Sequence, residues 1–291
     1  MSMNPGAAAT LETSKSKSKS MELTLKLKDT NNGPMFYLPS DRYVGGSIER
    51  YGEFSAGEQE FFNFVGRGGA AIDVGANLGA HSLCMVKRYS HVYSFEPQDI
   101  LYRVLAANLA VYDNTTTYHA ALGKEEGIIH IPKMDYSEFN NYGGLGREQW
   151  AAVPKEIVMQ PVQLRMLDKF ENIRAEDKID LLKIDVEGME KEVLEGAQGL
   201  LEQYRPVMYV ENDKPPKAEE LVRYIYNLGY KAYWHVTYLY NPLNFAKNPH
   251  NEWPGIASFN LICIPDGHWL TLNGAQPCTP DNPQLPPGSQ A

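Results

Sequence analysis

The stretch LLKIDVEG at residues 181–188 ends an apolar run in two carboxylates, which could bind a cation or accept a proton. The apolar run predicts a buried strand, and Asp185 and Glu187 follow it directly. Gly188 indicates that the chain is already turning, so the relative direction of the two acids stays open. The alternative for Glu187, and for Glu190 after it, is a helix start, where acids are favoured by the helix dipole.

A second apolar run, VMYV, is followed at once by Glu211, Asn212 and Asp213. The carboxyl ends of neighbouring parallel strands meet at one edge of a sheet, so as many as four carboxylates would share one crevice. Such acids repel one another unless a cation, a proton or hydrogen-bond donors compensate. Both runs therefore point to a polar site at this edge of the predicted sheet.

The segment IDVGANLGAHS, residues 72–82, predicts a turn between a strand and a helix that can receive a ligand. Gly75 and Gly79 allow positive φ and let a ligand approach the backbone closely. Asp73 sits at the strand end, where its side chain can order the loop or accept a hydrogen bond. The GxxxG spacing differs from the GxGxxG of a dinucleotide site, which disfavours a nicotinamide-dependent oxidoreductase.

Glu96 follows the second predicted strand and lies 21 residues after Gly75. An acid at this place can accept both hydroxyls of a ribose. A ribose acid beside a loop without pyrophosphate geometry suits S-adenosylmethionine, which carries ribose and adenine but no phosphate. The two features together favour a cofactor of the nucleoside type.

Strand-like and helix-like segments alternate along most of the chain. The predicted strands are residues 70–75, 91–96, 116–122, 181–185, 207–211, 230–236 and 259–264. The predicted helices are residues 80–88, 98–111, 189–201 and 217–228. This alternation predicts an α/β fold whose mostly parallel sheet is covered on both faces. Residues 123–179 interrupt the rhythm with a polar, glycine-rich excursion that we expect near the site.

Composition bounds the class of protein. The 291 residues are 43% hydrophobic, enough for a large core, and the formal charge of −9 disfavours nucleic acid and anionic membrane as partners. Three scattered cysteines are too few for a disulfide framework, which favours a reducing compartment. There is no apolar run of about 18 residues and no secretory core in the first 20 residues, so we expect a cytoplasmic protein without a membrane span.

Several of these segments resemble the FkbM family of S-adenosylmethionine-dependent methyltransferases. They are IDVGANLGAHS, SFEP, the region of Asn108 and HAALG, and above all LLKIDVEGMEKEVLEGA followed by YVEN, together spanning residues 45–265. The resemblance implies a class I methyltransferase, Rossmann-like fold with a seven-stranded, mostly parallel sheet, an antiparallel last strand and helices on both faces. It also implies methyl transfer to oxygen, often on sugars, glycans or polyketides.

The resemblance implies a division of the chain as well. The methyltransferase domain would comprise residues 69–270, preceded by a lead-in segment and cap over residues 21–68. Residues 1–20, with their Ser-Lys alternation, and residues 271–291, rich in Pro, Gly, Gln and Asn, are expected to be disordered tails.

Cofactor contacts follow from the resemblance residue by residue. The positions expected to bind S-adenosylmethionine are Glu53, Asp73, Gly75, Ala76, Asn77, Gly79, His81, Ser82, Glu96, Pro97, Ala120, Ala121 and Asp185. Within this set the glycine loop would line the methionine part, Glu96 would hold the ribose, and Ala120 with Ala121 would lie beside the adenine. Glu53, together with Tyr51, would contact the amino group or close the site. His81 stands where an aromatic residue is common in the family.

Methyl transfer needs an acceptor hydroxyl aligned with the methyl group and a group that takes its proton. We predict that Asp185 positions the cofactor or the acceptor, and that Glu187 or Glu211 orients or deprotonates the hydroxyl. An open alternative is Mg²⁺ or another divalent cation held by Asp185, Glu211 and Asn212, since hard cations prefer oxygen ligands.

The predicted acceptor is a sugar or glycan. Residues 237–255, TYLYNPLNFAKNPHNEWPG, combine aromatic rings with amide side chains that suit sugar rings, and Asn140, Asn141 and Tyr142 could complete the pocket. A polyketide-type or other natural-product hydroxyl and a catalytically silent cofactor-binding module are the alternatives. Nucleic acid is further disfavoured because no NPPY-type motif follows the fourth strand.

Overall fold

The computed structural model describes residues 23–144, 146 and 158–284 and is built around an eight-stranded sheet. The strands are β1 Lys26–Thr30, β2 Gly33–Tyr37, β3 Ala70–Val74, β4 Val92–Phe95, β5 Thr115–Tyr118, β6 Ala121–Leu122, β7 Gly127–Pro132, β8 Met159–Arg165, β9 Ile179–Ile184, β10 Val207–Glu211, β11 Tyr230–Tyr238, β12 Ala257–Pro265 and β13 Pro277–Cys278. The helices are α1 Val44–Tyr51, α2 Ala56–Val65, α3 Ala80–Met85, α4 Asp99–Leu109, α5 Glu171–Arg174, α6 Glu190–Glu195, α7 Gln198–Tyr204 and α8 Pro215–Asn227.

The main sheet has the strand order β5-β4-β3-β9-β10-β12-β11-β13. Strands β5, β4, β3, β9 and β10 are parallel to one another, whereas β12 runs antiparallel between β10 and β11. Without the short edge strand β13, this is a seven-stranded sheet whose last strand is antiparallel. The predicted α/β, Rossmann-like fold of a class I methyltransferase is confirmed.

Helices bury both faces of the sheet, because its central strands carry apolar residues in near-continuous runs. On one face Phe62 of α2, Leu83 of α3 and Leu105 of α4 are fully buried. On the other face Val193 of α6 and Ile225 of α8 pack against the strands. The carboxyl ends of β3, β4, β9 and β10 stay uncovered by these helices, which leaves room for a site.

The lead-in segment packs into the same core as the sheet. Its hairpin β1–β2 is tied to the glycine loop by Asn108, whose side-chain oxygen accepts from the Phe36 N–H at 2.7 Å. The Asn108 amide donates to the Leu78 carbonyl at 2.8 Å. These bonds connect three segments that are far apart in sequence. The boundary at residues 68 and 69 stays a prediction.

Two predicted elements need correction. The strand expected at 116–122 is two strands, since the chain leaves the main sheet after Tyr118 and β6 pairs with β8 in a separate three-stranded sheet. No glycine or proline marks that break in the sequence. The helix expected through 189–201 is two helices, because α6 ends at Glu195 and is followed by Gly196, a residue of low helix propensity.

The expected disordered tail at 271–291 is wrong in its first part. Strand β13 pairs with β11, with Cys278 opposite Ala232, and the Cys278 side chain is fully buried. The Tyr226 hydroxyl also donates to the Cys278 carbonyl at 3.1 Å. The composition of this segment, rich in proline and glycine, gives no sign of the buried strand β13. Residues 1–22 and 285–291 lie outside the described residues.

Across the part of the chain that the structure describes, no helix combines the length and the apolar character needed to cross a bilayer.

Candidate active site

A cavity of about 260 Å³ opens at the carboxyl ends of β3, β4, β9 and β10. Eleven of the residues predicted as cofactor contacts or catalytic acids line it, namely Gly75, Ala76, Asn77, His81, Glu96, Pro97, Ala120, Ala121, Asp185, Glu187 and Glu211. Further lining residues are Tyr43, Phe54, Leu122, Ile131, Asn141, Gly143, Lys183, Met189 and Ser258. The two motifs and the ribose acid therefore meet in one place.

The glycine loop forms one wall of the cavity. Gly75 has φ of +78°, and a Cβ atom built on it would lie 1.8 Å from the Asp185 carbonyl oxygen. Only glycine permits this approach, which brings the loop against the end of β9. Glu96 then fixes the loop: its carboxylate accepts from the Asn77 N–H at 2.9 Å and from the Gln98 N–H at 2.8 Å.

Burial raises the pKa of Glu96 to about 7, against the backbone N–H groups of Gln98 and Asn77, which lower it. Its side chain is 4% exposed and faces the cavity. Each oxygen uses one backbone donor and keeps a lone pair for another hydrogen bond. Glu96 can therefore accept two ligand hydroxyls, as its position in the sequence predicted.

A buried lysine that sequence reasoning missed joins the two motifs. Lys183 Nζ lies 3.1 Å from Asp73 Oδ1 and 3.5 Å from Asp185 Oδ2, and it donates to the Gly75 carbonyl at 2.9 Å. Burial alone would lower the pKa of Lys183, but the carboxylates of Asp73 and Asp185 outweigh burial and raise it. A lysine inside the otherwise apolar LLKI was the available signal.

Three carboxylates meet on the other side of the cavity. One oxygen each of Asp185, Glu187 and Glu211 lies within 4.8 Å of the other two. Glu187 has φ of +56°, so the chain turns sharply after Asp185 and both acids face the cavity. Lys214 Nζ, also missed from sequence, lies 2.7 Å from Glu187 Oε2.

Asp185 raises the pKa of the other two acids. Burial and the charge of Asp185 raise the pKa of Glu187 to about 7, although Lys214 lowers it. Burial, followed by the charges of Asp185 and Glu187, raises the pKa of Glu211 well above its ordinary value. Within the described residues Glu211 Oε2 is buried and makes no hydrogen bond. A carboxylate in this state is suited to accept a proton.

Of the predicted ligand set for a cation, Asp185 and Glu211 line the cavity and Asn212 does not. Asn212 is 4% exposed, lies outside the cavity lining, and its backbone N–H donates to the Phe259 carbonyl at 2.9 Å. Glu187, which the sequence left between a catalytic acid and a helix start, has an oxygen within 4.8 Å of those of Asp185 and Glu211. Alternation along the strand turns Asn212 away from the face that carries Glu211.

Comparison with known proteins decides the family. A model of the methyltransferase FkbM domain matches residues 73–232, more than half of the chain. The chain belongs to the FkbM methyltransferase family. Over 152 residues it is 28% identical to methyltransferase sdnD of Sordaria araneosa, a match that covers 43% of this chain and 59% of that relative.

Two solved structures are also similar. The crystal structure of methyltransferase FkbM from Methylobacillus flagellatus KT matches with a TM-score of 0.44 at 16% identity, over 67% of this chain and 43% of that one. The putative tRNA (m1A22) methyltransferase Sp1610 of Streptococcus pneumoniae, in complex with S-adenosyl-L-methionine, matches with a TM-score of 0.41 at 13% identity. That match covers 74% of this chain and 75% of the other.

Membership of a methyltransferase family implies S-adenosylmethionine, and the cavity fits its nucleoside part. Glu96 offers two acceptor oxygens for a ribose. Beside it, Ala120, Leu122 and Ile131 form an apolar wall against which an adenine ring could pack. The missing Cβ of Gly75 makes room for the Asp185 carbonyl, which brings the end of β9 against the glycine loop.

Four residues predicted as cofactor contacts lie outside the cavity lining, namely Glu53, Asp73, Gly79 and Ser82. Glu53 accepts instead from the Asn241 side chain and the Phe245 N–H, both at 2.9 Å. Asp73 is fully buried between Lys183 and Ser82. These residues hold the elements that form the site. Tyr51, expected beside Glu53, is likewise buried and donates to the His250 carbonyl at 3.0 Å.

The excursion covers the cavity from the side of the glycine loop. Gly143 lies so close to the loop that a Cβ atom on it would stand 2.7 Å from Asn77 Nδ2. Of the three residues proposed there, Asn141 lines the cavity, whereas Tyr142 is buried and holds Gln98 through its carbonyl. Asn140 pairs with Asp41 in a β-bridge. Residue 145 and residues 147–157 lie outside the described residues.

The segment expected to bind the acceptor, residues 237–255, packs mainly on α1. Trp253 contacts the rings of Tyr43 and Tyr51, with centroids 6.2 and 5.7 Å apart. No residue of this segment belongs to the described cavity lining. Ser258 on β12 and Tyr43, which contacts Trp253, do line the cavity. The acceptor role expected of this segment stays a prediction.

Proposed function

We propose that this protein is an S-adenosylmethionine-dependent O-methyltransferase that methylates a hydroxyl of a sugar or glycan. The observation that carries the proposal is the group of three carboxylates, Asp185, Glu187 and Glu211, within 4.8 Å of one another beside the glycine loop. Such a group can orient a hydroxyl and take its proton in one cavity with the methyl donor.

The nucleoside would be held on the side of the cavity that the glycine loop and Glu96 form. Glu96 would accept the ribose hydroxyls, and Ala120 with Ala121 would pack against the adenine. Gly75 and Asn77 would contact the amino-acid part through their backbone. When bound, S-adenosylmethionine supplies a methyl group that its sulfonium charge already activates, so the protein needs to align the acceptor and remove its proton.

The acceptor hydroxyl would bind to the carboxylates on the other side of the cavity. Asp185 would orient it by accepting its hydrogen bond, and Glu211 would take the proton because its raised pKa makes it a stronger base than an ordinary carboxylate. Glu187, paired with Lys214, would set the charge around Glu211 rather than touch the reacting atoms.

A polyhydroxylated acceptor agrees with the chemistry of the cavity. The carboxylates can accept several hydroxyl hydrogen bonds, Asn141 offers an amide, and Tyr43 lines the rim with an aromatic face. Sugars are recognised by such combinations of polar groups and ring faces. We propose a neutral cytoplasmic acceptor rather than nucleic acid, since the chain has a formal charge of −9.

The test is transfer of an isotopically labelled methyl group from S-adenosylmethionine to a panel of saccharides, polyketide-type alcohols and RNA, read by mass spectrometry. We expect labelled methyl ethers on saccharides. Asp185→Asn should reduce turnover by about 100-fold or more, whereas Glu219→Gln, on the exposed face of α8, should match the wild type.

The other possible results of this test would each change the proposal in a different way. Label on polyketide-type alcohols alone would keep the O-methyltransferase and replace its acceptor, and label on RNA would overturn the acceptor class. Cofactor binding without transfer to any member of the panel would indicate a catalytically silent module. Wild-type turnover by Asp185→Asn would contradict the role given to that residue.

A divalent cation is the other way of compensating the three carboxylates. We propose that Lys183 and Lys214 compensate them instead, because their ammonium groups already lie 3.5 Å from Asp185 and 2.7 Å from Glu187. Activity should then survive complete chelation. Loss of activity with chelator and its return with Mg²⁺ would show that a cation belongs in the site.

A further inference from the structure

A buried glutamate outside the cavity holds one of the residues that line it. Glu58, on α2, is 4% exposed, and its Oε1 accepts from Thr237 Oγ1 at 3.1 Å and from Asn260 Nδ2 at 3.0 Å. Its other oxygen, Oε2, lies 3.1 Å from Nε2 of His81. Burial alone would raise the pKa of Glu58, but the nearby ring of His81, helped by Lys183, lowers it.

His81 is held rigidly. It is 6% exposed, and its ring packs between Phe54 and Phe62, with centroids 5.4 and 5.2 Å away. Because Nε2 faces Glu58, Nδ1 is the ring nitrogen that remains for the cavity, which His81 lines. A carboxylate that fixes one nitrogen of an imidazole in this way also fixes the direction of the other.

Packing alone does not explain this arrangement. Thr237 and Asn260 already tie Glu58 to β11 and β12, so α2 is anchored to the sheet without the histidine. A phenylalanine at position 81 would fill the space between Phe54 and Phe62 equally well. The imidazole adds a directed polar atom at the cavity wall, next to the buried carboxylate of Glu58.

We propose that His81, oriented by Glu58, donates a hydrogen bond to the α-carboxylate of the methyl donor. This inference rests on the proposed function, which puts the nucleoside between Glu96 and Ala120. The amino-acid end must then extend along the glycine loop, away from the adenine wall, and His81 is the cavity residue that follows this loop. With Nε2 directed at the Glu58 carboxylate, an Nδ1–H of the ring would point into the cavity, where an anion can accept from it.

The test compares two ligands by calorimetry on the full chain. S-adenosylhomocysteine carries the amino-acid end, and 5′-methylthioadenosine lacks it. His81→Phe should weaken binding of S-adenosylhomocysteine about tenfold, the usual loss for one hydrogen bond to a charged group, and leave 5′-methylthioadenosine unchanged. Glu58→Gln keeps the shape of the side chain and should give a smaller loss confined to the same ligand.

The matched control is His235→Phe. His235 is a partly buried histidine whose Nδ1 lies 2.9 Å from the Tyr209 hydroxyl. It is absent from the described cavity lining. This variant should bind both ligands as the wild type does. Thermal unfolding of each variant shows that it is folded, and if His81→Phe does not fold, Glu58→Gln decides.

Equal losses for the two ligands would overturn the inference, since the ring would then only pack against the cofactor. An unchanged affinity for S-adenosylhomocysteine in His81→Phe would overturn it as well. A wild-type protein that binds neither ligand would overturn the proposed function itself. The wild type could transfer methyl groups while His81→Phe binds the two ligands in the same ratio as the wild type does. That result would reject the role of His81 and leave the proposed function standing.

Discussion

The ammonium group of Lys183 lies 3.1 Å from the carboxylate of Asp73, and both side chains are almost completely buried. The other oxygen of Asp73 accepts from Ser82 at 2.6 Å, and Lys183 also holds the Gly75 carbonyl. One ion pair thus fastens β3, β9 and α3 to the glycine loop. Because Asp185 and Glu187 follow directly after the strand that carries Lys183, the pair also sets their distance from the loop.

Removing the ammonium group of Lys183 should destabilise the folded protein. We expect Lys183→Met to lower the free energy of unfolding by about 3–5 kcal/mol, since Asp73 is then left buried without its counter-charge. Denaturant titration of the double variant Asp73→Asn, Lys183→Met should show a smaller loss than the single variant. Lys26→Met, in an exposed pair with Glu49, is the control and should leave the free energy of unfolding nearly unchanged. A double variant as unstable as the sum of the two single ones would contradict the pairing.

Glu211, as the proposed proton acceptor, should set the acid limb of the pH profile of kcat/KM. Ionised Glu187 raises the pKa of Glu211, so Glu187→Gln should lower that pKa and move the acid limb of kcat/KM to lower pH. The base works only when deprotonated, which gives the shift its direction. The profile of the wild type would report the coupled pair rather than one residue.

Lys214→Met provides the opposite change. Its ammonium group lowers the pKa of both Glu187 and Glu211, so its removal should move the same limb to higher pH. Shifts in the same direction for both variants, or none, would show that Glu211 is not the group that titrates in the rate.

Affinity for the nucleoside should depend on pH through Glu96. Burial raises the pKa of this residue to about 7, and ribose hydroxyls bind best to its ionised form. Binding of S-adenosylhomocysteine should therefore tighten several-fold from about pH 6 to about pH 8. In Glu96→Ala the affinity should be weaker and flat over this range. A wild-type affinity equal at both ends would remove Glu96 from the ribose.

Asp41 predicts a pH dependence of stability. Burial raises its pKa to about 6, although the N–H groups of Gly45, Tyr43 and Val44 lower it. Because the folded pKa exceeds the unfolded one, the folded state binds more protons between about pH 4 and pH 6, and stability falls as pH rises through this window.

The corresponding variant is Asp41→Asn. Its Oδ1 can keep the three N–H bonds that cap α1, while the other oxygen, Oδ2, has no partner within the described residues. At neutral pH the variant should gain on the order of 1–3 kcal/mol over the wild type. At about pH 4 the gain should vanish. Thermal unfolding at the two pH values measures it, and an equal gain at both would contradict the ionised state of Asp41.

The strands and the family could be predicted from the sequence because each depends on local patterns. The apolar runs predicted β3, β9 and β10, and the glycines at 75 and 79 predicted the loop between β3 and α3. Glu96 was found because its distance from the loop is set by one strand–helix–strand unit. Elements that depend on distant partners were missed, among them the break after Tyr118 and the buried strand at Cys278.

By itself, the sequence determined an α/β sheet with a ligand loop and acids at the ends of its strands, since hydrophobic period and glycine spacing are local properties. Only the tertiary structure decided how the acids are compensated. It brought Lys183 to Asp73, Lys214 to Glu187 and Glu58 to His81, across sequence separations that no local pattern records. Charges act through space, so the chemistry of these side chains depends on neighbours that only folding supplies.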